Sequence, residues 1–265
     1  MYLTRFRVNT TRGGAKRLLS SPRALHAAVM TSFPAAGASL PSPRTTASPE
    51  ATPSAEILPD EGAGSPRVLW RTDRNARAET HLHIVSPTEP DLGHLVQQAG
   101  WPQRAGQHTT GWQTCPYAPF LSRLTKGENW TFRLTANPVH GVRRHPGERA
   151  KRTAHLTPRH QLRWLLQRQE HCGFRVLHSA DAQALHLEER YAVTVHSRRQ
   201  LSFAHPSSAP ARPTRSQPKT TLVTTTFDGR LEVTDPEALR RTLTRGLGKA
   251  KAYGCGLMTL SPLPR

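Results

Sequence analysis

Residues 246–256 form a glycine-rich, basic stretch near the end of the chain. Glycine lets a backbone approach a ligand closely or adopt a positive φ angle without strain, and lysine supplies charge for an anion. The stretch therefore predicts a loop whose backbone N–H groups and lysines contact phosphate. A tight turn between a helix and the last strand is the alternative that the spacing leaves open. The residues concerned are Gly246, Gly248, Lys249, Lys251, Gly254 and Gly256.

Histidines are the other side chains that could do chemistry near neutral pH, and the chain has 14 of them. Their unperturbed pKa of about 6.5 makes both protonation states accessible. They form no HExxH motif or comparably spaced cluster, and His81 and His83 share only one face of a predicted strand. His26 lies at the edge of the apolar stripe of a predicted helix, so its ring should reach a surface. By spacing alone it is one histidine among many.

The charge of the chain points to a polyanionic partner. Lysine and arginine number 37 against 18 acidic residues, which leaves a formal net charge of +19. No apolar run approaches the roughly 18 to 20 residues that a membrane-spanning helix needs. The first residues, MYLTRFRVNTTRGG, lack the apolar segment of a signal peptide. We therefore expect nucleic acid, and not a membrane surface, as the partner.

The three cysteines, Cys115, Cys172 and Cys255, are far apart and include no CxxC pair. This pattern argues against a disulfide framework and against a structural zinc site. It fits a reducing compartment, so we expect a cytoplasmic location.

The first half of the chain predicts the order strand, helix, strand, strand, helix, strand. Apolar and polar residues alternate over 2–8, and Ser21 with Pro22 is typical of a helix start. This order is that of a ferredoxin-like domain. The later patterns are strands over 67–73 and 79–87, a helix over 91–100 and an apolar stretch near 108–121.

The second half predicts another domain of the same kind. Thr157 with Pro158, and Asp235 with Pro236, repeat the helix-start pattern. The predicted strands cover 129–138, 174–178, 185–196, 219–233 with a turn at its Asp-Gly pair, and 256–263. The chain is thus expected to be α+β, with two tandem βαββαβ domains at 1–122 and 123–265.

Two segments lack the large apolar residues of a core. Residues 35–66 are rich in Pro, Ser, Ala and Thr, which predicts a disordered insertion in the first domain. Residues 197–220 are basic and proline-rich, which predicts a protruding hairpin with a solvated tip at 205–218. Arg198 and Arg199, at the strand edge, are better placed to bind a partner.

Several stretches, taken in chain order, resemble the CasE family, the CRISPR repeat-processing endoribonuclease subunit of type I-E Cascade. They include SPRALHAAVMTSFP, FRLTANPV, LTPRHQLRWLLQRQ and GLGKAKAYGCGLMTLSPL, and the matches run from residue 2 to residue 263. The resemblance implies two ferredoxin-like domains of the RAMP type. It also implies binding to the hairpin of CRISPR repeat RNA, cleavage at the stem base without metal or cofactor, and retention in Cascade with its other subunits.

The resemblance also assigns residues. His26 falls at the position of the histidine that family members use for cleavage, and the glycine loop is expected to lie against the RNA close to it. Many relatives carry tyrosine at the position of Arg23. Arginine cannot exchange a proton near neutral pH, but it can hold a phosphate with two hydrogen bonds. We therefore expect His26 as base or acid and Arg23 as an electrostatic clamp, with the second proton-transfer group open.

RNA contacts are expected from basic residues and from the glycine loop. The predicted set is Arg143, Arg144, Lys151, Arg152, Arg198, Arg199, Gly246, Gly248, Lys249, Lys251 and Gly254. Two alternatives stay open. The first is a non-catalytic hairpin-binding subunit that lost cleavage with the change to Arg23, and the second is a general binder of duplex nucleic acid.

Overall fold

The first domain is a four-stranded antiparallel sheet with helices on one face. The computed structural model describes residues 1–33, 67–75, 77–101, 111–142, 145, 151–179, 186–187, 189–204 and 219–263. The strands pair in the order β2-β3-β1-β4, the strand order of a ferredoxin-like domain. In chain order the elements are β1 (Tyr2–Val8), α1 (Gly13–Ser20), α2 (Pro22–Met30), β2 (Leu69–Arg74), β3 (Thr80–Ser86), α3 (Gly93–Ala99) and β4 (Trp112–Pro116).

Strand β1 shows the alternation predicted from its sequence. Thr4, Phe6 and Val8 are buried, whereas Arg5 and Arg7 are exposed. Phe6 and Val8 pack in one core with apolar residues of α1, α2 and α3. The helix-free face of this sheet therefore carries the two arginines of β1.

Helix α2 begins as its sequence predicts. The Ser21 hydroxyl accepts a hydrogen bond from the backbone N–H of Ala24 at 3.2 Å, and Pro22 occupies the first helical position. This arrangement satisfies a backbone donor that has no partner inside the helix. Leu25 and Val29, four residues apart, are buried against the sheet. The helix is thereby held with one fixed face toward the core.

The second domain repeats the same strand order. A short helix, α4 (Ala118–Arg123), precedes it, and the predicted boundary after residue 122 falls inside this helix. The main sheet has the order β11-β5-β10-β8, with β9 paired to β10, while β6 and β7 form a separate hairpin. Its elements are β5 (Asn129–Ala136), β6 (Val139–Val142), β7 (Lys151–Ala154), α5 (Pro158–Leu166), β8 (Phe174–Val176), β9 (Val193–Ala204), β10 (Lys219–Val233), α6 (Pro236–Arg245), a 3-10 turn (Lys251–Tyr253) and β11 (Met258–Ser261).

The two tandem ferredoxin-like domains confirm the predicted fold class, but several details differ. Strand β10 runs without a break through Asp228 and Gly229, because these residues pair with Arg133 and Phe132 of β5. The turn predicted there is therefore wrong. The strand predicted over 185–196 is β9, which begins only at Val193 and continues to Ala204. The predicted insertion at 35–66 and the hairpin tip at 205–218 lie outside the described residues.

Arg71 on β2 joins the two domains. The residue is 1% exposed. One terminal nitrogen donates to the carbonyl oxygens of Arg133 at 2.7 Å and Leu257 at 2.8 Å. The other donates to the Thr259 hydroxyl at 2.8 Å and to the Asp73 carboxylate at 2.7 Å, and Nε donates to the same carboxylate at 2.8 Å. These bonds fix β2 against β5 and the start of β11.

Candidate functional site

His26 lies on α2 beside the buried Leu25 and is half-buried. The indole Nε1 of Trp70, on β2, donates a hydrogen bond to Nδ1 of His26 at 3.2 Å. Burial lowers the pKa of His26 because it disfavours the charged imidazolium. The ring is therefore neutral at neutral pH, with Nε2 as the nitrogen that Trp70 leaves unbonded.

The glycine loop, residues 246–256, joins α6 to β11 and packs on two tryptophans. A Cβ atom at Gly254 would lie 2.6 Å from the ring of Trp70, and one at Gly248 would lie 3.0 Å from the ring of Trp164. Both glycines have positive φ angles, 79° and 82°. Packing inside the protein is therefore enough to require glycine at these positions, and the turn between helix and strand is present. The phosphate contact stays a prediction.

Trp70 brings His26 and the glycine loop together. The 3-10 turn within the loop contacts both α2 and β2. The six-membered ring of Trp70 lies under Gly254, while its N–H group binds His26. Sequence reasoning missed Trp70 because it reads as an ordinary apolar strand residue. The only signal was its polar N–H group, which needs a partner when the ring is buried.

Charged and titratable groups surround this junction. Arg23 is exposed on α2, three residues before His26 and therefore on the same side of the helix. Lys249 is exposed and Lys251 is half-buried on the glycine loop. Tyr253, half-buried on the 3-10 turn, was not considered from the sequence, although its phenol can donate and accept hydrogen bonds.

The predicted stem-binding residues that the structure describes lie on β7 and β9. Lys151 and Arg152 are exposed on β7, and Arg198 and Arg199 are exposed on β9. A terminal nitrogen of Arg198 donates to the carbonyl oxygen of Leu156 at 2.9 Å, which ties β9 to the segment before α5. Arg198 thus makes a structural contact within the protein, besides its predicted contact with RNA. Two further members of the predicted set, Arg143 and Arg144, lie outside the described residues.

Comparison with known proteins decides the family. The family model described as "CRISPR associated protein" matches residues 1–262. The CRISPR-associated endoribonuclease Cse3 of Thermus thermophilus is 30% identical over 200 residues, which cover 75% of this chain and 82% of that protein. The chain belongs to the CasE family of CRISPR-associated proteins.

Solved structures share the fold of this CasE chain. Cse3 bound to a 19-nucleotide RNA is 25% identical, with a TM-score of 0.67 and coverage of 99% of this chain and 100% of that chain. Thermus thermophilus Cse3 bound to an RNA that represents a pre-cleavage complex is 25% identical, with a TM-score of 0.63 and 98% of each chain covered. Cas6e of Escherichia coli K-12 is 19% identical, with a TM-score of 0.51 over 99% of this chain and 100% of that chain, and it supports the fold alone.

Within the described part of this CasE chain, no group of three or more His, Cys, Asp or Glu residues could hold a metal ion. His83 contacts Asp73 at 3.5 Å, but burial lowers the pKa of His83 to about 4 despite the attraction of that carboxylate. The ring is therefore neutral at neutral pH, and the contact is not an ion pair. All three cysteines are free thiols. None of the described helices is both long and apolar enough to cross a bilayer.

Proposed function

We propose that this CasE chain is a metal-independent endoribonuclease that binds the stem-loop of CRISPR repeat RNA and cleaves at the base of the stem. It then keeps the mature guide RNA and serves as a Cascade subunit in the cytoplasm. The named activity of its Thermus thermophilus relative and the RNA in two similar structures support this proposal. The observation that carries it is the junction of His26, Trp70 and the glycine loop.

The proposed reaction uses the nucleophile that RNA already carries. The 2′-oxygen next to the scissile phosphate forms a bond to phosphorus, and the bond from phosphorus to the 5′-oxygen breaks. The 2′-hydroxyl loses one proton and the 5′-oxygen gains one, which gives a 2′,3′-cyclic phosphate and a 5′-hydroxyl. His26 acts as base or acid in these transfers. Arg23 stabilises the charge that develops on the phosphorane.

A second proton-transfer group is needed because Arg23 stays protonated at neutral pH. We place this role on Tyr253, since the 3-10 turn that carries it contacts the helix of His26. A phenol can donate a proton to a leaving oxygen, and its phenolate form can accept one from a hydroxyl group. Replacement of this tyrosine by phenylalanine should lower the single-turnover cleavage rate and leave hairpin affinity unchanged.

Recognition of the stem is proposed to rest on backbone contacts and shape. Side chains read the deep, narrow major groove of A-form RNA poorly, so basic residues should bind phosphates. The described candidates lie on β7, β9 and the glycine loop: Lys151, Arg152, Arg198, Arg199, Gly246, Gly248, Lys249, Lys251 and Gly254. With a net charge of +19, the affinity should fall steeply with salt.

The proposal is tested with the full-length protein and its cognate repeat RNA in EDTA. We expect a product with a 2′,3′-cyclic phosphate from the all-ribose hairpin and none from a hairpin with a single 2′-deoxy nucleotide at the scissile position. Tight binding without product from either RNA would favour the second candidate, a non-catalytic hairpin-binding subunit. This candidate is kept because Arg23 stands where many relatives carry tyrosine. Equal affinity for unrelated hairpins and for duplex DNA would favour the general binder.

A further inference from the structure

We propose that Trp70 fixes the tautomer of His26, so that the imidazole presents Nε2–H as a hydrogen-bond donor to the RNA. While the bond to Trp70 is intact, the ring then cannot accept the proton of the 2′-hydroxyl. The assignment of the tautomer stands on the geometry of the ring. Its consequence for cleavage rests on the proposed function.

The chemistry of the indole decides which nitrogen of His26 carries the proton. Trp70 is 3% exposed, and its Nε1 lies 3.2 Å from Nδ1 of His26. An indole N–H can only donate a hydrogen bond, so Nδ1 must keep its lone pair. A neutral imidazole has one N–H group, which is therefore on Nε2. If the histidine ring were turned over, a carbon atom would face the indole N–H, and a buried donor would lose its acceptor.

The position of Trp70 is itself fixed from both sides. Its six-membered ring lies under Gly254 of the glycine loop, where a side chain would collide with it. Its place on β2 is set by pairing with Ile84 of β3. The tryptophan therefore cannot follow His26 if the imidazole turns away, and the hydrogen bond links the ring orientation to the position of the loop.

The surroundings of His26 also favour the neutral ring. A cation near an imidazole disfavours protonation, and protonation at Nδ1 would set two donors against each other. Burial lowers the pKa of His26 in the same direction. The charged or titratable side chains of α2 and of two elements packed on it, α1 and the 3-10 turn, are Lys16, Arg17, Arg23, Lys251 and Tyr253.

A neutral Nε2–H group suits one part of the proposed reaction. It can donate a hydrogen bond to an oxygen of the phosphorane or to the departing 5′-oxygen, where negative charge develops. Neutral imidazoles are known to stabilise developing oxyanions in this way. The proton of the 2′-hydroxyl must then pass to another group. The phenolate of Tyr253 could take it, and the phenol so formed could donate it to the departing 5′-oxygen.

The first test measures the tautomer directly in the wild-type protein. Histidines are labelled with ¹⁵N, and the His26 signals are assigned by their loss in His26→Gln. Above the pKa of His26, we expect a protonated Nε2 and an unprotonated Nδ1. A spectrum with the proton on Nδ1 would overturn the proposal.

The second test removes only the indole N–H. Trp70→Phe should raise the pKa of His26, because the neutral ring loses a hydrogen bond. At the wild-type midpoint, where half of the rings are neutral, the cleavage rate should fall by roughly two- to sevenfold, and it should recover at higher pH. Trp164→Phe is the matched control, since Trp164 is 2% exposed and packs under Gly248. It should leave the pKa of His26 unchanged.

The outcomes separate this inference from the proposed function. If Trp70→Phe folds as the wild type does but leaves the pKa of His26 unchanged, or if Trp164→Phe shifts it equally, the inference is wrong. If the tautomer and the shift are found but the wild type cleaves no repeat RNA, the proposed function fails and the tautomer assignment stands. If the wild type cleaves repeat RNA but His26 carries its proton on Nδ1, the proposed function stands and the tautomer assignment is wrong.

Discussion

Neighbouring residues of β2 face opposite sides of the first sheet and contact the second domain in different ways. Trp70 lies on the helix side, under Gly254, and its single N–H group binds His26. Arg71 lies on the helix-free side, and its hydrogen bonds use all five N–H donors of the guanidinium. The contact of Trp70 leaves the Nε2 atom of His26 available to a ligand. The contacts of Arg71 leave no N–H group of its guanidinium available to one.

Under the proposed function, this difference places the reaction on one face of β2 and a structural contact on the other. The helix side combines a half-buried imidazole with a glycine loop, whereas the other side borders a cleft of about 1050 Å³ lined by Asp73, His83, Arg133 and other residues. Burial raises the pKa of Asp73, but the hydrogen bond and charge of Arg71 outweigh it and keep the carboxylate ionised. Both faces thus hold polar groups, and the proposed cleavage site is on the helix side, where the imidazole of His26 meets the glycine loop.

The largest expected effect is on the helix side. His26→Ala should lower the single-turnover cleavage rate on the order of 10² to 10⁴-fold, the usual range for one proton-transfer residue. Hairpin affinity should stay close to wild type, whereas the free energy of unfolding should fall by roughly 1–3 kcal/mol, because the buried N–H group of Trp70 loses its acceptor. The rate is measured at saturating protein, with affinity measured separately.

A matched histidine controls for general effects. His94 on α3 is also half-buried, and its Nε2 lies 2.9 Å from the carbonyl oxygen of Ala28 on α2. His94→Ala should therefore keep the cleavage rate. Equal losses in both variants, or a collapse of hairpin binding in His26→Ala, would contradict the assigned role.

The next effect is on the opposite face. Arg71→Met should lower the free energy of unfolding by about 3–5 kcal/mol, because it leaves the carboxylate of Asp73, whose side chain is only 12% exposed, without its partner. Two carbonyl oxygens at the domain contact would also lose their donors. Urea denaturation of the variant and the wild type measures the difference.

The control for this prediction is a second arginine with an exposed ion pair. The side chains of Arg133 and Asp228 are 36% and 32% exposed, so solvent screens their attraction. Arg133→Met should cost at most about 1 kcal/mol. If both variants lose the same stability, burial does not distinguish the two ion pairs.

The sequence predicted local features well because their causes are local. At three helix starts, Ser21, Thr157 and Asp235, a capping side chain stands before a proline, and each accepts a backbone hydrogen bond as predicted. The alternation of β1 likewise fixed which side chains are buried. Each signal acts within a few residues, so no tertiary information was needed.

The sequence could not predict contacts that join distant segments. Trp70 binds a residue 44 positions away, and Arg71 binds one 186 positions away. No local pattern distinguishes these two side chains from ordinary strand residues. The glycine loop shows the same limit: Gly254 was predicted for approach to a ligand, and the structure gives it a packing role against a tryptophan.

The smallest expected effect concerns acid stability, and it tests which face holds the titrating group. The pKa of His83 is about 4 in the folded chain and about 6.5 in the unfolded chain. Between these values only the unfolded chain binds the proton. The free energy of unfolding should therefore decrease as the pH is lowered from 6.5 to 4, by roughly 3 kcal/mol. Asp73 contributes stability above its unfolded pKa, which is lost only as pH falls further, through its lowered folded pKa.

Urea denaturation at several values between pH 7 and pH 4 checks this prediction. His83→Gln should remove most of the slope in that interval, because glutamine does not titrate. His26→Ala should remove a smaller part, since burial also lowers the pKa of His26 but its ring is less deeply buried than that of His83. If His26→Ala instead removes most of the slope and His83→Gln little of it, proton-linked stability belongs to the helix side, and the division of β2 into a chemical and a structural face would have to be reversed.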